Sequence, residues 1–172
     1  SCGLSRPTIL NYIEVYQMTH VIHLLRPYHR GGRQEILQQP KIYGFDTGFV
    51  RHVKGWGELR EEDCGLLWEH IVLDMLLSKF QSGSVYFWRT KQKNEIDFVV
   101  PQGRDKVHAI ECKWNIRTID SNPFRVFRSI HPAGKNIVTA PTISERHIKK
   151  IDKLTIELIP LNELAHALSV DG

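Results

Sequence analysis

One long amphipathic segment followed by three short apolar segments limits the folds open to this chain. The segment ELREEDCGLLWEHIVLDMLLSKFQSG carries apolar residues at helical spacing, and Gly83 follows its end, which predicts a long helix. The next three segments, SVYFWRT, EIDFVVP and VHAIECKW, are rich in strand-forming residues and are joined by short turns. A helix that leads into three consecutive strands is therefore the expected centre of the fold.

The rest of the chain alternates between helices and strands. IDSNPFRVFRSIHPAG is predicted to be partly helical, KNIVTAP and TIELIPL are strands, and NELAHALS is a closing helix. SERHIKKIDKL is a charged amphipathic stretch, which we expect to be a helix between those two strands. The order from residue 61 is then helix, three strands, helix, strand, helix, strand, helix. This order predicts an α/β fold with a mixed sheet flanked by helices.

The N-terminal part predicts a smaller module. LSRPTILNYIEVYQMTHVI is a helix that Ser5 can cap, with Pro7 in its first turn. Two short strands, VIHLLRPY and KIYGFDTG, follow on either side of the polar turn HRGGRQEILQQP. A helix followed by two strands is the plan of a winged helix that lacks its first helices. The alternative is a helix and hairpin that only pack on the larger domain. We expect a partial winged-helix module at 1–55 and the α/β domain at 56–172.

Composition fits a globular cytoplasmic protein. The 172 residues are 41% hydrophobic and 24% charged, and no apolar run reaches the ~18–20 residues that span a bilayer. The three cysteines form no CxxC pair, which favours a reducing compartment. The net charge of +4 is concentrated in residues 1–60, where Lys and Arg outnumber Asp and Glu by eight to four. That excess indicates either an anionic partner or a solvated basic face. The chain does not begin with Met, so we expect a piece of a longer protein.

Ionisable residues interrupt the apolar strands in the stretch NEIDFVVPQGRDKVHAIECKW. Because strand side chains alternate between faces, Asp97 is expected on one face of its strand. The opposite face would carry Ile96, Phe98 and Val100. In AIECKW, Glu111 and Lys113 share a face. Neighbouring strands hold facing β carbons about 4.5–5.5 Å apart, so the three ionisable residues can meet on one surface.

This arrangement suits a divalent cation. Mg²⁺ (or Mn²⁺) binds oxygen ligands, commonly one or two carboxylates with waters and a substrate phosphate, and Asp97 and Glu111 would supply them. Lys113 would orient water or stabilise charge on phosphorus, and Glu69 in the preceding helix could complete the metal site. The alternative is that Asp97 and Lys113 form an ordinary ion pair on an exposed sheet face.

The pattern D…ExK on a hairpin after a helix resembles the PD-(D/E)xK nuclease superfamily. The blocks SRPTILNYIEVYQMTHVIHLLRPY, KIYGFDTG, LLWEHIVLDMLL, VYFWRTKQKNEIDFVV and AIECKW together resemble the C-terminal region of bacterial and archaeal predicted AAA+-type ATPases. In that group a P-loop ATPase domain precedes a winged helix and a domain of restriction-endonuclease-like fold. The resemblance implies a metal-binding Asp97 and Glu111, a catalytic Lys113 and a helix acid at Glu69.

The chain departs from these families at two points. Ile96 stands where the Pro of the superfamily name would be, a position that varies within the superfamily. No GxxxxGK[ST] loop occurs, so this fragment has no ATP site of that kind, and any ATPase domain would lie upstream of Ser1 in the same polypeptide.

Several basic residues are candidates for contact with nucleic acid. Arg89 and Lys91 end the strand before Asp97 and could meet phosphates, or pair with nearby acids. Arg6 lies at the start of the N-terminal helix, the region that contacts DNA in helix-turn-helix proteins; the alternative is a winged helix that joins domains or partners instead. The run FRVFR could stack on nucleic acid, although aromatic residues at helical spacing are more often part of the core.

Two functions follow from these observations. The first is a DNA-binding nuclease-like domain of an AAA+-type ATPase, which hydrolyses phosphodiesters with Mg²⁺. The second is a catalytically inactive nuclease-fold module that binds DNA or protein for an ATPase. The expected partners are DNA and the upstream ATPase domain, with no membrane and with a homo-oligomer as a further option.

Overall fold

The computed structural model describes residues 3–29, 39–81, 83–117 and 119–169. Helices and strands follow one another through these residues in the order α1 (Arg6–Met18), β1 (Ile22–Pro27), β2 (Lys41–Gly44), α2 (Thr47–Lys54), α3 (Glu61–Lys79), β3 (Tyr86–Arg89), β4 (Glu95–Gln102), β5 (Lys106–Cys112), α4 (Asn122–Ile130), β6 (Asn136–Thr139), β7 (His147–Ile151), β8 (Leu154–Leu158) and α5 (Leu161–Ser169).

The strands form one mixed sheet in the order β2-β1-β3-β4-β5-β6-β8-β7. β1 is parallel to β3, β5 to β6 and β6 to β8, and the other neighbours are antiparallel. Helices flank the sheet, so the predicted α/β class with a mixed sheet is confirmed.

Each face of the sheet buries its own apolar cluster. On one face, side chains of α3 and α5 pack on β-strand residues that include Phe98 and Ile110. On the other face, Phe124 and Phe127 of α4 pack on residues that include Val99 and Ala109. Burying a Phe or Ile side chain contributes about 1.5–3 kcal/mol. The two clusters therefore hold β4 and β5 rigidly between helices, and these are the strands that carry the predicted site.

A β-bulge in β4 changes the predicted alternation. Across the β3–β4 ladder, Tyr86 is opposite Val99 whereas Trp88 is opposite Ile96, so β4 has one extra residue in this interval. Ile96 consequently packs with Val99 in the α4 cluster, while Phe98 packs in the α3 cluster. The expectation that Ile96 and Phe98 share a face was wrong, because strict alternation does not survive a bulge.

Helix α3 begins and is anchored through polar contacts. The backbone N–H of Arg60 donates to Asp63 Oδ2 at 3.0 Å, and the guanidinium of Arg60 binds the same carboxylate. Three acidic residues in the first turn favour the positive end of the helix dipole. Further along, Trp68 Nε1 donates to the carbonyl of Thr139 in β6 at 3.2 Å. These contacts fix where α3, and with it Glu69, lies over the sheet.

The N-terminal segment joins the main sheet. Ser5 caps α1 as predicted, accepting from the N–H of Thr8 at 3.3 Å. β1 and β2 pair antiparallel, and β1 also pairs in parallel with β3, where Tyr28 N–H donates to the Phe87 carbonyl. The predicted polar turn between the two strands falls largely on residues 30–38, outside the described residues. The winged-helix assignment and the boundary at residue 55 stay predictions.

Two elements differ from the sequence expectation. The stretch expected to be a helix between the last two core strands contains β7, which pairs with β8 at the sheet edge. β7 is exposed along most of its length, so its sequence carries no apolar face typical of a strand. The short helix α2 was not predicted; Asp46 begins it by accepting from the N–H of Phe49 at 2.8 Å.

The run FRVFR belongs to the core rather than to an open surface. Phe124 and Phe127 are fully buried. The guanidinium of Arg128 donates to the carbonyls of Val107, His131, Ala133 and Lys135 and to Asn136 Oδ1. Arg128 therefore closes the loop between α4 and β6.

Candidate functional site

Asp97 lies at the bulge in β4, next to the end of β5. Its Oδ2 accepts a hydrogen bond from the backbone N–H of Cys112 at 2.8 Å. The regular β4–β5 pairing ends with the pair of Phe98 and Ile110, so neither Asp97 nor Cys112 belongs to it. The bulge therefore lets a carboxylate, rather than a backbone carbonyl, approach the end of β5.

Glu111 and Lys113 form an ion pair at the end of β5. Glu111 Oε2 accepts from Lys113 Nζ at 2.9 Å. Glu111 is only 5% exposed, and its other oxygen, Oε1, is buried without a hydrogen-bond partner among the described residues. Lys113 is half-buried and has solvent access. A buried carboxylate oxygen without a partner is costly, so a cation or a hydrogen-bond donor placed at Oε1 would be stabilising.

Glu69 approaches from helix α3. Its Oε2 accepts from the hydroxyl of Tyr43 in β2 at 3.2 Å. Glu69 is half-buried, at a point of α3 that is flanked by the buried side chains of Trp68 and His70.

The charge of Asp97 acts on both glutamates. Burial, followed by the charge of Asp97, raises the pKa of Glu111 to about 8, against the opposing effect of Lys113. Burial and the charge of Asp97 likewise raise the pKa of Glu69 to about 7. Burial also raises the pKa of Asp97, although Lys41 and the bond from Cys112 lower it. Asp97 is therefore near enough to influence both glutamates, and strongly shifted carboxyl groups are typical of functional sites.

Glu69, Asp97 and Glu111 together are called the acidic cluster below. Two basic residues lie at its border and bind a fourth acid, Glu95. Lys41 of β2 contacts Glu95 Oε1 at 2.5 Å, and Arg89 Nε donates to Glu95 Oε2 at 2.6 Å. Lys41 and Tyr43 were not singled out from the sequence. The signal that could have found them is their i, i+2 spacing, which places both on one face of β2.

The predicted nucleic-acid residues are placed as follows. Arg89 ends β3 and pairs with Glu95, which agrees with the alternative of a pairing role. Lys91 is exposed in the turn between β3 and β4, and Arg6 is exposed at the first residue of α1. The nucleic-acid contacts of Arg6, Arg89 and Lys91 stay predictions.

The oxygen ligands of the acidic cluster are of the type that Mg²⁺ and Mn²⁺ bind. Two carboxylates are a sufficient protein contribution for Mg²⁺, and the buried Oε1 of Glu111 is free to serve as one ligand. Within residues 3–29, 39–81, 83–117 and 119–169, no group of three or more His, Cys, Asp or Glu side chains is arranged to hold a metal ion. The carboxylate oxygens of Asp97 and Glu111 are of the chemical type that such an ion binds, and the metal-binding roles of Asp97, Glu111 and Glu69 all stay predictions.

Fold and site together define a mixed α/β domain with a half-buried carboxylate–lysine cluster. Residues 64–164 match the family described as Domain of unknown function (DUF4143), and the chain belongs to this family. Residues 1–60 match a second family, described as Domain of unknown function (DUF8612). DUF4143 is often found with AAA ATPases, which supports the expectation of an AAA+-associated domain.

Curated relatives cover part of the chain. Over 104 residues it is 28% identical to uncharacterized protein Mb2031c of Mycobacterium bovis and to uncharacterized protein Rv2008c of Mycobacterium tuberculosis. The match spans 58% of this chain and 24% of each relative.

One solved structure is similar over part of its length. It is a half-complex from the tetradecameric assembly of Thermococcus gammatolerans McrB AAA+ hexamers with bound McrC, and the matched chain is 17% identical with a TM-score of 0.40. The match covers 56% of this chain and 27% of that chain.

Helices long and apolar enough to cross a membrane are absent from the described part of the chain.

Proposed function

We propose that this chain is the nuclease-like domain of an AAA+-type ATPase and that it hydrolyses phosphodiester bonds with a divalent cation. The observation that carries the proposal is the buried Oε1 of Glu111, which has no partner among the described residues and lies in the electrostatic field of Asp97. Asp97 and Glu111 would hold the cation, with Glu69 as an additional acid. A bound Mg²⁺ or Mn²⁺ would supply Lewis-acid polarisation of the phosphodiester and a water of lowered pKa.

Each side chain of the cluster has a task in this proposal. Glu111 stays in place because Lys113 binds its Oε2. The half-buried ammonium of Lys113 would stabilise negative charge that develops on the phosphate. Asp97 is held by the Cys112 N–H, so its carboxylate needs no rearrangement before it acts.

The partners are proposed on the same basis. DNA is the substrate, with Arg6, Arg89 and Lys91 as candidate phosphate contacts, and the basic excess of residues 1–60 favours such a polyanion. The ATPase domain would be a part of the same polypeptide, and a homo-oligomer is the assembly that an AAA+ partner favours.

The test is cleavage of a DNA panel: supercoiled plasmid, linear duplex, single strand and branched duplex, each with Mg²⁺ or Mn²⁺. We expect cleavage by the wild-type chain and a loss of about 10²–10³-fold in Asp97→Asn and Lys113→Ala. The exposed Lys153→Ala variant is the matched control and should cut like the wild type. Equal cleavage by wild type, Asp97→Asn and Lys113→Ala would contradict the assignment.

A second function is a binding module without catalysis. It is favoured by the ion pair of Lys113 with Glu111 inside the cluster and by the pair of Lys41 with Glu95 at its border, because lysines can replace a cation as the source of neutralisation. Calorimetry with Mn²⁺ distinguishes the two: binding that disappears in Asp97→Asn supports the nuclease, and no binding supports the module.

A further inference from the structure

Strand β2 reaches the acidic cluster from the N-terminal part of the chain. Two consecutive residues of β2 bond to two consecutive residues of α3. The hydroxyl of Tyr43 donates to Glu69 Oε2 at 3.2 Å, and the backbone N–H of Gly44 donates to His70 Nε2 at 3.3 Å. The sequence separation in both pairs is 26 residues, so the contacts connect the segment matched by one family with the segment matched by the other.

Packing fixes β2 in this position. Tyr43 is 4% exposed, and its ring lies edge-on to His70 with 4.9 Å between ring centroids. A Cβ at Gly44 would lie 2.7 Å from Val50 Cγ2, so only glycine lets α2 approach the strand this closely. The Tyr43 hydroxyl therefore has little freedom, and the carboxylate that it contacts is held by a rigid donor.

Lys41 brings a positive charge to the same place. Its side chain is 19% exposed and contacts Glu95 at 2.5 Å, and its ammonium lies 5.5 Å from the centroid of the Phe87 ring. Asp97 and Glu69 lie near enough to act on Lys41 electrostatically. Lys41 thus neutralises part of a group of acids that would otherwise repel one another.

We propose that β2 is part of the functional site, with Tyr43 as the positioning residue of Glu69 and Lys41 as a built-in counter-charge of the acidic cluster. The role of the two residues in cation binding rests on the proposed function. The contact between Tyr43 and Glu69 does not depend on it. The DUF4143 segment alone then carries an incomplete site, because Lys41 and Tyr43 lie outside residues 64–164.

The two β2 residues act on cation affinity in opposite directions. Tyr43→Phe removes the donor that orients Glu69 and should weaken Mn²⁺ binding about 10-fold, as loss of a partner behind a metal ligand does. Lys41→Met removes a positive charge near a divalent cation and should tighten Mn²⁺ binding several-fold. Lys41→Arg keeps the charge and should bind like the wild type. A purely structural role would weaken binding in every variant.

The experiment combines Mn²⁺ calorimetry with a double-mutant cycle in urea. The controls are Tyr12→Phe and Lys153→Met, which alter exposed residues and should leave Mn²⁺ affinity unchanged. In the cycle of Tyr43→Phe with Glu69→Met, which removes the acceptor, we expect a coupling of about five-fold in the unfolding equilibrium constant, the worth of one hydrogen bond.

The outcomes separate the two proposals. If the wild type binds no Mn²⁺, the proposed function is wrong, and the urea cycle alone decides the inference. Additive effects of Tyr43→Phe and Glu69→Met on the unfolding equilibrium then overturn the inference, and coupling between them supports it. If the wild type binds Mn²⁺ and both Tyr43→Phe and Lys41→Met bind it with the wild-type affinity, the inference is overturned while the proposed function stands.

Discussion

The carboxylate of Asp97 accepts a hydrogen bond from the backbone N–H of Cys112 at 2.8 Å, beyond the last regular pair of the β4–β5 ladder. Asp97 therefore has two functions in one side chain: it satisfies a backbone donor and it places negative charge beside Glu111 and Glu69. Substitutions that preserve one of these functions and remove the other can separate them.

Asp97→Asn and Asp97→Ala should differ in stability. Asn keeps an oxygen acceptor for the Cys112 N–H, whereas Ala leaves that donor without its bond, at a cost of about 1–3 kcal/mol in the free energy of unfolding. Urea unfolding measures the free energy of unfolding of each variant. Both variants should lose Mn²⁺ binding, because both lose the charge. Equal stabilities for the two variants would show that the hydrogen bond contributes nothing.

The pH dependence of stability should report the raised pKa of Glu111. The folded pKa of about 8 exceeds the ordinary value of 4.5, so the unfolded chain releases this proton first as the pH rises. The contribution of Glu111 to the stability of the wild type without divalent cations therefore falls from about pH 4.5 up to about pH 8. Glu111→Gln cannot ionise, so its unfolding free energy relative to the wild type should increase over this interval and level off above it. Chelator-treated protein, melted at closely spaced pH values, provides the measurement. A constant or falling difference would contradict the raised pKa.

Gly134→Ala should be severely destabilising. Gly134 has a φ of +125°, and a Cβ there would lie 2.2 Å from the carbonyl oxygen of Val107. The loop would have to shift away from β5, and we expect a loss of more than about 3 kcal/mol or no folded protein. Gly65→Ala is the matched control, because Gly65 lies in the second turn of α3 and a Cβ there meets no atom within 4 Å; it should stabilise by about 0.5–1 kcal/mol. Thermal melts of both variants test the contrast.

Arg128→Met should cost far more than Arg125→Met. Arg128 donates to backbone carbonyls of β5 and of the α4–β6 loop and to the side-chain oxygen of Asn136 in β6, and its removal leaves these groups without their donor. We expect a loss of about 2–4 kcal/mol, measured by urea unfolding. Arg125 is exposed and bonds to Asn122 of the same helix, so its loss should cost under about 0.5 kcal/mol. Similar costs for the two variants would contradict the role assigned to Arg128.

The central part of the fold was predictable because its apolar patterns are strong. Helix α3 and strands β3 to β5 are long or apolar enough to be recognised locally, and the D…ExK pattern identified residues whose charges do interact in the structure. Strand β7 was missed because an exposed edge strand buries almost nothing, so its sequence has no apolar periodicity.

The contacts that connect distant segments could not be predicted. The bulge beside Asp97 depends on how β3 and β4 align across their turn, which the sequence of β4 alone does not encode. The bond between Tyr43 and Glu69 depends on the parallel pairing of β1 with β3, which brings the N-terminal hairpin onto the sheet beside α3. Hydrophobic patterns define elements, but they do not define which elements become neighbours.

The parallel pairing of β1 with β3 has a practical consequence for anyone who truncates the chain. A fragment that starts at Glu61 follows the family boundary, yet it removes the strand that covers β3. Tyr86 and Phe87 would then lie on a bare sheet edge, where unpaired amides recruit strands from other molecules. Aggregation of such a fragment would be a result of the cut, and would say nothing about the intact protein.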